Sequence, residues 1–153
     1  MVVGKALTAG YLGHAATLAS SQVYDSFLGD DYEKALMHGP TFMANPLACA
    51  LALRSIQLIE EENYLEKISR INTLLKEQLQ ELSSPHINDK RVNGAIGAIE
   101  VKDSSVFSNF KSFALDRGVW LRPIGNVIYL MPPYIISETE LTKLVSVIRE
   151  WLK

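Results

Sequence analysis

The chain is organised around the stretch Gly4-Lys5-Ala6-Leu7-Thr8-Ala9-Gly10-Tyr11-Leu12-Gly13, which lies almost at its start. One lysine lies among three glycines and a threonine, and it follows the apolar pair Val2-Val3, which is typical of the end of a buried strand. Glycines let the backbone approach a neighbouring group closely. A desolvated lysine amine has a lowered pKa and can attack a carbonyl carbon to form a Schiff base. The stretch therefore indicates Lys5 as a candidate nucleophile, with a lysine on an exposed loop as the alternative interpretation.

The composition is that of an ordinary globular chain, with 153 residues, 48% hydrophobic, 21% charged and a formal net charge of -2. This charge gives no indication of binding to nucleic acid or to an anionic membrane. The single cysteine, Cys49, cannot form an internal disulfide; we interpret it as a buried filler, which fits a reducing compartment such as the cytoplasm. We expect no secretory signal at residues 1–5, and the longest apolar run, at residues 46–53, is too short to cross a bilayer.

The first half of the chain predicts short elements followed by one clear helix. Residues 15–20 predict a short buried strand, and residues 21–27 predict a short helix. After an irregular loop, Asn45 is suited to the N-cap position and Pro46 to the first helical position. This helix is predicted to run to about Glu62, and its apolar first half is expected to be buried on all sides. We predict a domain boundary inside it, between residues 1–54 and residues 55–153.

The second half predicts a small α+β domain, in which a short sheet is covered by helices. Helices are predicted over residues 64–82, over residues 106–117 and after a capping box at Ser137–Glu140. Strands are predicted over residues 92–101, 119–122 and 127–131, the last two around a turn. The side chains expected to point inward from the helices are Ile68, Ile71, Leu75, Leu79, Leu82, Phe107, Phe110, Ala114, Leu141, Leu144, Val145 and Ile148.

Two further residues are candidates for ligand binding. Thr41 follows Gly39-Pro40 just before the helix, so its hydroxyl could hold a phosphate at the positive end of that helix; a simple turn threonine is the alternative. Arg122 ends a predicted strand among apolar residues, where a planar guanidinium suits a carboxylate; an arginine that extends to solvent at the sheet edge is the alternative. No zinc motif, phosphate-binding glycine loop or nucleophile elbow is present, and we predict no metal site.

Three segments together resemble the class III, pyridoxal-phosphate-dependent aminotransferases: Gly4 to Tyr11, His38 to Ala50 and Arg122 to Tyr134. The pattern His38-Gly39-x-Thr41, followed by Asn45-Pro46-Leu47-Ala48, is shared across that family. The resemblance implies an α/β architecture, namely the C-terminal part of the type I pyridoxal-phosphate transferase fold. Residues 1–54 would be a remnant of the large cofactor-binding domain, including the start of a linking helix, and residues 55–153 would be the small α+β domain.

The resemblance also implies roles for individual residues. Lys5 matches the lysine that bonds covalently to pyridoxal phosphate and moves a proton between the substrate carbon and the C4′ atom of the cofactor. Pro40 and Thr41 match a pair that contacts the cofactor phosphate from the neighbouring subunit of a homodimer. The positions that match substrate contacts are Lys5, Gly39, Arg122 for a substrate carboxylate, and Tyr129 in the same pocket. Pro40, Phe42-Met43 and the Arg122 to Tyr134 segment indicate the branch of biotin biosynthesis, with S-adenosylmethionine as donor and 8-amino-7-oxononanoate as acceptor.

Two departures from the family pattern limit these implications. Ala9 stands where the family usually has a second glycine. The family's glycine-rich phosphate cup, its ring-stacking aromatic residue and the aspartate of the pyridine nitrogen would all precede Met1, so we expect an incomplete enzyme that is inactive alone. Two alternatives stay open: a non-catalytic remnant or dimerisation module, and a class III aminotransferase with other substrates. Residues 1–50 are expected to expose apolar surface.

Overall fold

A computed structural model describes all residues, Met1–Lys153, as two compact units, Met1–Glu62 and Asn63–Lys153. The predicted domain boundary lies eight residues earlier, inside a helix that continues unbroken to Glu61. The compact units divide just after that helix, between Glu62 and Asn63. None of the helices combines the length and the apolar composition that a membrane-crossing segment needs.

The first unit is built from short elements and one long helix. Strand β1 (Val2–Val3) pairs antiparallel with strand β2 (Ala16–Thr17), and a 3₁₀ turn at Lys5–Thr8 lies between them. Helix α1 (Ser21–Asp25), a 3₁₀ turn at Tyr32–Lys34 and helix α2 (Pro46–Glu61) follow. The strand predicted over residues 15–20 and the helix predicted over residues 21–27 therefore form, but both are shorter than predicted, and the strand is not buried, since Thr17 is exposed and Leu18 is 51% exposed.

Helix α2 begins as the sequence predicts but is not buried on all sides. The Oδ1 atom of Asn45 accepts a hydrogen bond from the backbone N–H of Ala48 at 3.1 Å, which completes the predicted cap. Only Ala48 and Ser55 are buried, whereas Leu47 is 64% exposed. The prediction of a fully buried helix was wrong because, within its own unit, one side of α2 packs on the turn at residues 5–8.

Apolar side chains are exposed throughout residues 1–50, as the sequence predicts. Val2 is 72% exposed, so the predicted strand at Val2-Val3 forms without being buried. Cys49 is half-buried rather than fully buried. Other large apolar side chains at the surface of this stretch are Tyr11, Leu18, Val23, Tyr24, Phe27, Leu28, Tyr32, Leu36, Met37, Phe42, Met43 and Leu47.

The second unit is the predicted α+β domain. Its elements in chain order are helix α3 (Tyr64–Gln80), strands β3 (Ile87–Asn93) and β4 (Ile96–Val101), a 3₁₀ turn at Ser104–Phe107, helix α4 (Phe110–Asp116), strands β5 (Pro123–Ile124) and β6 (Val127–Leu130), and helix α5 (Glu138–Trp151). The four strands form one antiparallel sheet in the order β3-β4-β6-β5.

Three element predictions in this unit needed correction. The single strand predicted over residues 92–101 is a hairpin, because Gly94 takes a φ of +56° and reverses the chain between β3 and β4. The helix predicted over residues 106–117 is interrupted by Asn109, whose φ of +66° separates a 3₁₀ turn from α4. Residues 119–122 do not form the predicted strand, since the pairing with β6 begins only at Pro123.

The core of the second unit lies between α3, α5 and one face of the sheet. All the predicted inward-facing side chains are buried or half-buried, and Leu75, Ile99, Phe110, Leu141 and Ile148 are 0% exposed. Gly97 permits the close approach of α3, since a Cβ atom there would lie 3.2 Å from Cδ1 of Leu79. The capping box at the start of α5 is present in both directions.

Candidate active site

Lys5 lies at the start of a 3₁₀ turn in a backbone conformation that non-glycine residues rarely adopt. Its φ is +50°, in the left-handed region, where a side chain costs roughly 1–2 kcal/mol. The side chain is exposed, and its amine makes no hydrogen bond or ion pair within the chain. Strain of this kind persists only where the surroundings fix the backbone, and it is concentrated at functional sites.

Hydrogen bonds on both sides of Lys5 fix this turn. The backbone N–H of Leu7 donates to the carbonyl of Gly4 at 3.1 Å. The hydroxyl of Thr8, which is 1% exposed, donates to the carbonyl of Leu12. From α2, the hydroxyl of Ser55 donates to the carbonyl of Ala6 at 3.1 Å. The amine of Lys5 thus has no partner, whereas hydrogen bonds hold the backbone on both sides of it.

The departure at Ala9 has a structural consequence, because Ala9 also lies in the left-handed region, with a φ of +51°. We expect Ala9→Gly to raise the free energy of unfolding of the first unit by about 0.5–1 kcal/mol. Relief of roughly 1–2 kcal/mol of steric strain exceeds the entropic cost of about 0.5–1 kcal/mol that glycine brings. The midpoint of urea unfolding measures the change.

The matched control for this prediction is Ala50→Gly in α2, where the backbone is an ordinary helix. That substitution should lower the free energy of unfolding by about 1 kcal/mol. If Ala9→Gly lowered stability as much as Ala50→Gly does, the strain assigned to Ala9 would be absent.

Gly39, Pro40 and Thr41 lie in an exposed pair of consecutive turns directly before α2. The backbone N–H of Met43 donates to the carbonyl of Pro40 at 2.9 Å, and the N–H of Asn45 donates to the carbonyl of Phe42 at 3.2 Å. The hydroxyl of Thr41 makes no hydrogen bond and is open to solvent. An exposed hydroxyl in a turn at the start of a long helix is a suitable contact for a phosphate.

Arg122 and Tyr129 line one cleft of about 790 Å³ in the second unit. Pro123, which directly follows Arg122, pairs with Ile128, which directly precedes Tyr129. Ile128 and Leu130 are buried, and the alternation of a strand therefore turns Tyr129 to the face away from the core. Arg122 is exposed and pairs with no carboxylate of the chain, which leaves its guanidinium available to a ligand.

The sequence interpretation missed other residues that line this cleft. Trp120 is 66% exposed, with the Lys111 amine 5.2 Å from its ring centroid, and Lys143 lines the cleft without an ion pair. The one acidic residue in the lining, Glu140, accepts hydrogen bonds from Ser137. The backbone N–H of Ser137 at 2.9 Å, and then its hydroxyl at 2.7 Å, hold the pKa of Glu140 below its ordinary value. The cleft therefore presents free cations to an anionic ligand.

Comparisons with known proteins place these features in a family. The family model of class III aminotransferases matches residues 1–152. The chain is 41% identical over 154 residues to the adenosylmethionine-8-amino-7-oxononanoate aminotransferase of Corynebacterium glutamicum, covering 100% of this chain and 36% of that protein. It is 42% identical to the enzyme of the same name from Geobacter sulfurreducens, covering 95% of this chain and 35% of the relative.

Solved structures agree in fold. The adenosylmethionine-8-amino-7-oxononanoate aminotransferase of Methanocaldococcus jannaschii matches with a TM-score of 0.85 and 36% identity, over 99% of this chain and 37% of that one. The acetylornithine aminotransferase of Elizabethkingia anophelis matches with a TM-score of 0.81 and 29% identity, over 99% of this chain and 39% of that one. The chain belongs to the class III aminotransferases. It spans about a third of the length of the curated relatives it matches.

Members of this family use pyridoxal phosphate, and the residues present fit two parts of that cofactor. The unpaired amine of Lys5 fits its aldehyde, and the unpaired hydroxyl of Thr41 fits its phosphate. Both residues belong to the first unit, whereas Arg122 and Tyr129 belong to the second. Their assignment as site residues is therefore a proposal about function.

Proposed function

We propose that this chain contributes the C-terminal third of an aminotransferase that transfers an amino group from S-adenosylmethionine to 8-amino-7-oxononanoate, giving 7,8-diaminononanoate in biotin biosynthesis. The observation that carries the proposal is that Tyr129 and Arg122, whose guanidinium pairs with no carboxylate of the chain, line the same cleft. It is supported by identities of 41–42% to two curated enzymes with this name and, among the solved structures, by 36% identity to an enzyme with this name against 29% to the acetylornithine enzyme.

Lys5 supplies the amine that would attach the cofactor to the protein. Pyridoxal phosphate, when bound, supplies an aldehyde for covalent attachment and an electron sink for the substrate carbon. The Lys5 amine would hold the cofactor through its aldehyde carbon, and when free it would carry a proton between the substrate carbon and C4′. The hydrogen bonds of the turn hold the backbone of Lys5 in place, while its side chain and amine stay free to move.

The turn before α2 supplies the proposed phosphate contact. The Thr41 hydroxyl donates a hydrogen bond to a phosphate oxygen, and Pro40 keeps the turn in place. Gly39, which has no atom within 4 Å of the space a side chain would fill, leaves room for substrate. In the proposed homodimer, these residues serve the cofactor of the neighbouring subunit.

Arg122 and Tyr129 orient the acceptor. The guanidinium binds the carboxylate of 8-amino-7-oxononanoate through two parallel hydrogen bonds, and Tyr129 packs beside the aliphatic chain. Trp120 and Met131 add apolar surface to the same cleft, which suits a substrate that is charged at one end and aliphatic along its length.

The test uses a completed enzyme, in which the first two thirds of the Corynebacterium glutamicum relative precede this chain. We expect Arg122→Met in this chimera to raise KM for 8-amino-7-oxononanoate about ten- to hundredfold, because a hydrogen bond to a charged group contributes roughly 1.5–3 kcal/mol. KM for S-adenosylmethionine should change little. Steady-state kinetics with each substrate varied in turn gives both values.

The matched control is Arg54→Met, which removes an exposed arginine that is paired with Glu61 outside the cleft. This variant should leave both KM values unchanged. Equal KM values for 8-amino-7-oxononanoate in the chimera and its Arg122→Met variant would favour a class III aminotransferase with another substrate. A chimera that folds without any transaminase activity would favour the non-catalytic remnant. The 153-residue chain alone should show no turnover.

A further inference from the structure

The chain contains only two buried polar residues, and both hold the turn that carries Lys5. Thr8 is 1% exposed and Ser55 is 9% exposed. Thr8 belongs to the turn itself, whereas Ser55 lies on α2, 49 residues along the chain from the carbonyl that it contacts. Polar side chains are buried where they have a hydrogen-bond partner, so both positions have a specific structural reason.

We propose that Ser55 is a positioning residue for Lys5, which keeps the lysine in its left-handed conformation by holding the carbonyl of the next residue, Ala6. The proposal rests on the proposed function, in that Lys5 is the amine that binds pyridoxal phosphate. It adds a residue of a different element, whose side chain touches neither cofactor nor substrate.

The geometry of the Ala6 carbonyl carries this inference. Ala6 directly follows Lys5, and its carbonyl accepts the Ser55 hydroxyl at 3.1 Å and the backbone N–H of Ala9 at 3.0 Å. Two donors therefore fix the orientation of this carbonyl. On the other side of Lys5, the carbonyl of Gly4 accepts the N–H of Leu7. With carbonyls fixed on both sides, the φ of +50° at Lys5 is maintained by its surroundings.

Serine is also an unfavourable residue inside a helix, and the contact with the Ala6 carbonyl gives a reason for its presence at position 55. Serine is less favourable than alanine inside a helix, and a buried serine hydroxyl commonly bonds to the carbonyl four residues earlier in its own helix. Here the hydroxyl donates instead to a residue of the turn. The cost in helix propensity is thus offset by a hydrogen bond that joins α2 to the Lys5 turn.

Reductive labelling with pyridoxal phosphate tests the proposal on the full 153-residue chain. Attachment joins the Lys5 nitrogen to the aldehyde carbon with loss of water, and borohydride then adds hydride to that carbon, which makes the bond permanent. At a subsaturating cofactor concentration, we expect Ser55→Ala to lower the labelled fraction of Lys5 about tenfold, measured by peptide mass. Ser55→Thr keeps a hydroxyl and should restore most of the labelling.

Hydrogen exchange supplies a second readout that does not depend on the cofactor. In Ser55→Ala, the amides of Leu7 and Ala9 should exchange about tenfold faster, whereas the amide of Cys49 within α2 should be unchanged, since alanine preserves the helix. Cys49→Ala is the matched control in the same helix, because its side chain makes no hydrogen bond. It should alter neither the labelling nor the exchange of the turn.

The two readouts separate the possible failures. If Lys5 is labelled in the parent chain and Ser55→Ala changes neither labelling nor exchange, the positioning role is wrong. If exchange of Leu7 and Ala9 accelerates together with that of Cys49, Ser55 merely stabilises the whole unit and the inference is also wrong. If the parent chain shows no preference for Lys5, this chain alone does not hold the cofactor, and exchange decides the role of Ser55: faster exchange confined to the turn would support it, and unchanged exchange would overturn it.

Discussion

Replacement of Lys5 by arginine is expected to abolish the specific, borohydride-stable attachment of pyridoxal phosphate to this chain. Arginine keeps the positive charge and a similar length, but its guanidinium stays protonated and does not add to an aldehyde. The expected result is complete loss of the label from the peptide that contains residue 5, detected by mass after digestion. The substitution leaves the hydrogen bonds of the turn in place, since they involve backbone atoms and other side chains.

The specificity of this label is expected because other lysines differ in their surroundings. The Lys90 amine donates to the carbonyls of Gln80 and Leu82 at 3.1 and 2.9 Å, and the Lys102 amine donates to that of Pro85 at 2.8 Å. Lys143 has a free amine, as Lys5 has, but it lies on a regular helix, without the fixed left-handed backbone.

Lys143→Arg is therefore the control. It removes one free amine and should leave labelling of Lys5 unchanged. A parent chain in which Lys5 and Lys143 are labelled to the same extent would contradict the assignment of Lys5 as a distinct site.

The elements that the sequence predicts well are those set by local signals. The cap at Asn45 and Pro46, the apolar stripe of α3 and the capping box of α5 each depend on residues within one or two turns of helix, and the structure contains all of them. The hairpin of β3 and β4 was missed although Asn93-Gly94 is a strong turn signal. The single strand predicted over residues 92–101 includes Gly94, because the apolar pattern of residues 95–101 does not show where a new strand starts.

Other features depend on contacts that no local pattern specifies. The left-handed conformations of Lys5, Ala9 and Asn109 occur at residues other than glycine, so composition alone does not indicate them. The exposure of α2 was mispredicted because an apolar sequence shows what can be buried and not what packs against it. Ser55 did leave a signal, namely one hydroxyl in a helix whose preceding residues are largely apolar.

The cleft of Arg122 and Tyr129 combines features that the sequence predicts with features that depend on distant contacts. Resemblance suggests that the two residues share a pocket, and the pairing of Pro123 with Ile128 explains why their neighbours Arg122 and Tyr129 line one cleft. Trp120 and Lys143 reach the same cleft from elements that the sequence does not bring together. The roles of all four residues toward a ligand stay predictions.

Phe110→Ala is expected to be the most destabilising single substitution in the second unit. Phe110 is 0% exposed, and its ring centroid lies 5.8 Å from that of Phe107, 6.4 Å from that of Phe113 and 5.6 Å from that of Trp151. Removal of a buried phenyl ring costs about 3–5 kcal/mol through lost burial and the cavity that remains. Since domains of this size have free energies of unfolding of roughly 5–15 kcal/mol, this loss removes a large part of the stability, and the variant should unfold at a lower temperature.

Urea unfolding followed by tryptophan fluorescence measures this loss. Trp151 packs on Phe110 and donates from Nε1 to the carbonyl of Val106 at 2.7 Å, so its emission reports on this part of the core, whereas Trp120 is already exposed. Leu115→Ala is the matched control on the same helix, because Leu115 is 45% exposed and should cost less than about 1 kcal/mol.

The same substitution connects the core to the proposed ligand cleft. Val119 and Leu121 are buried in the core cluster that contains Phe110, and they flank the exposed Trp120 and precede Arg122. Loss of the packing beneath them should therefore loosen the cleft before the sheet unfolds, because residues 119–122 have no strand pairing to hold them. Faster hydrogen exchange at Leu121 than at Ile99 of β4 in Phe110→Ala would show this order. Equal acceleration at both residues would mean instead that the unit unfolds as one, with the cleft as firmly held as the sheet.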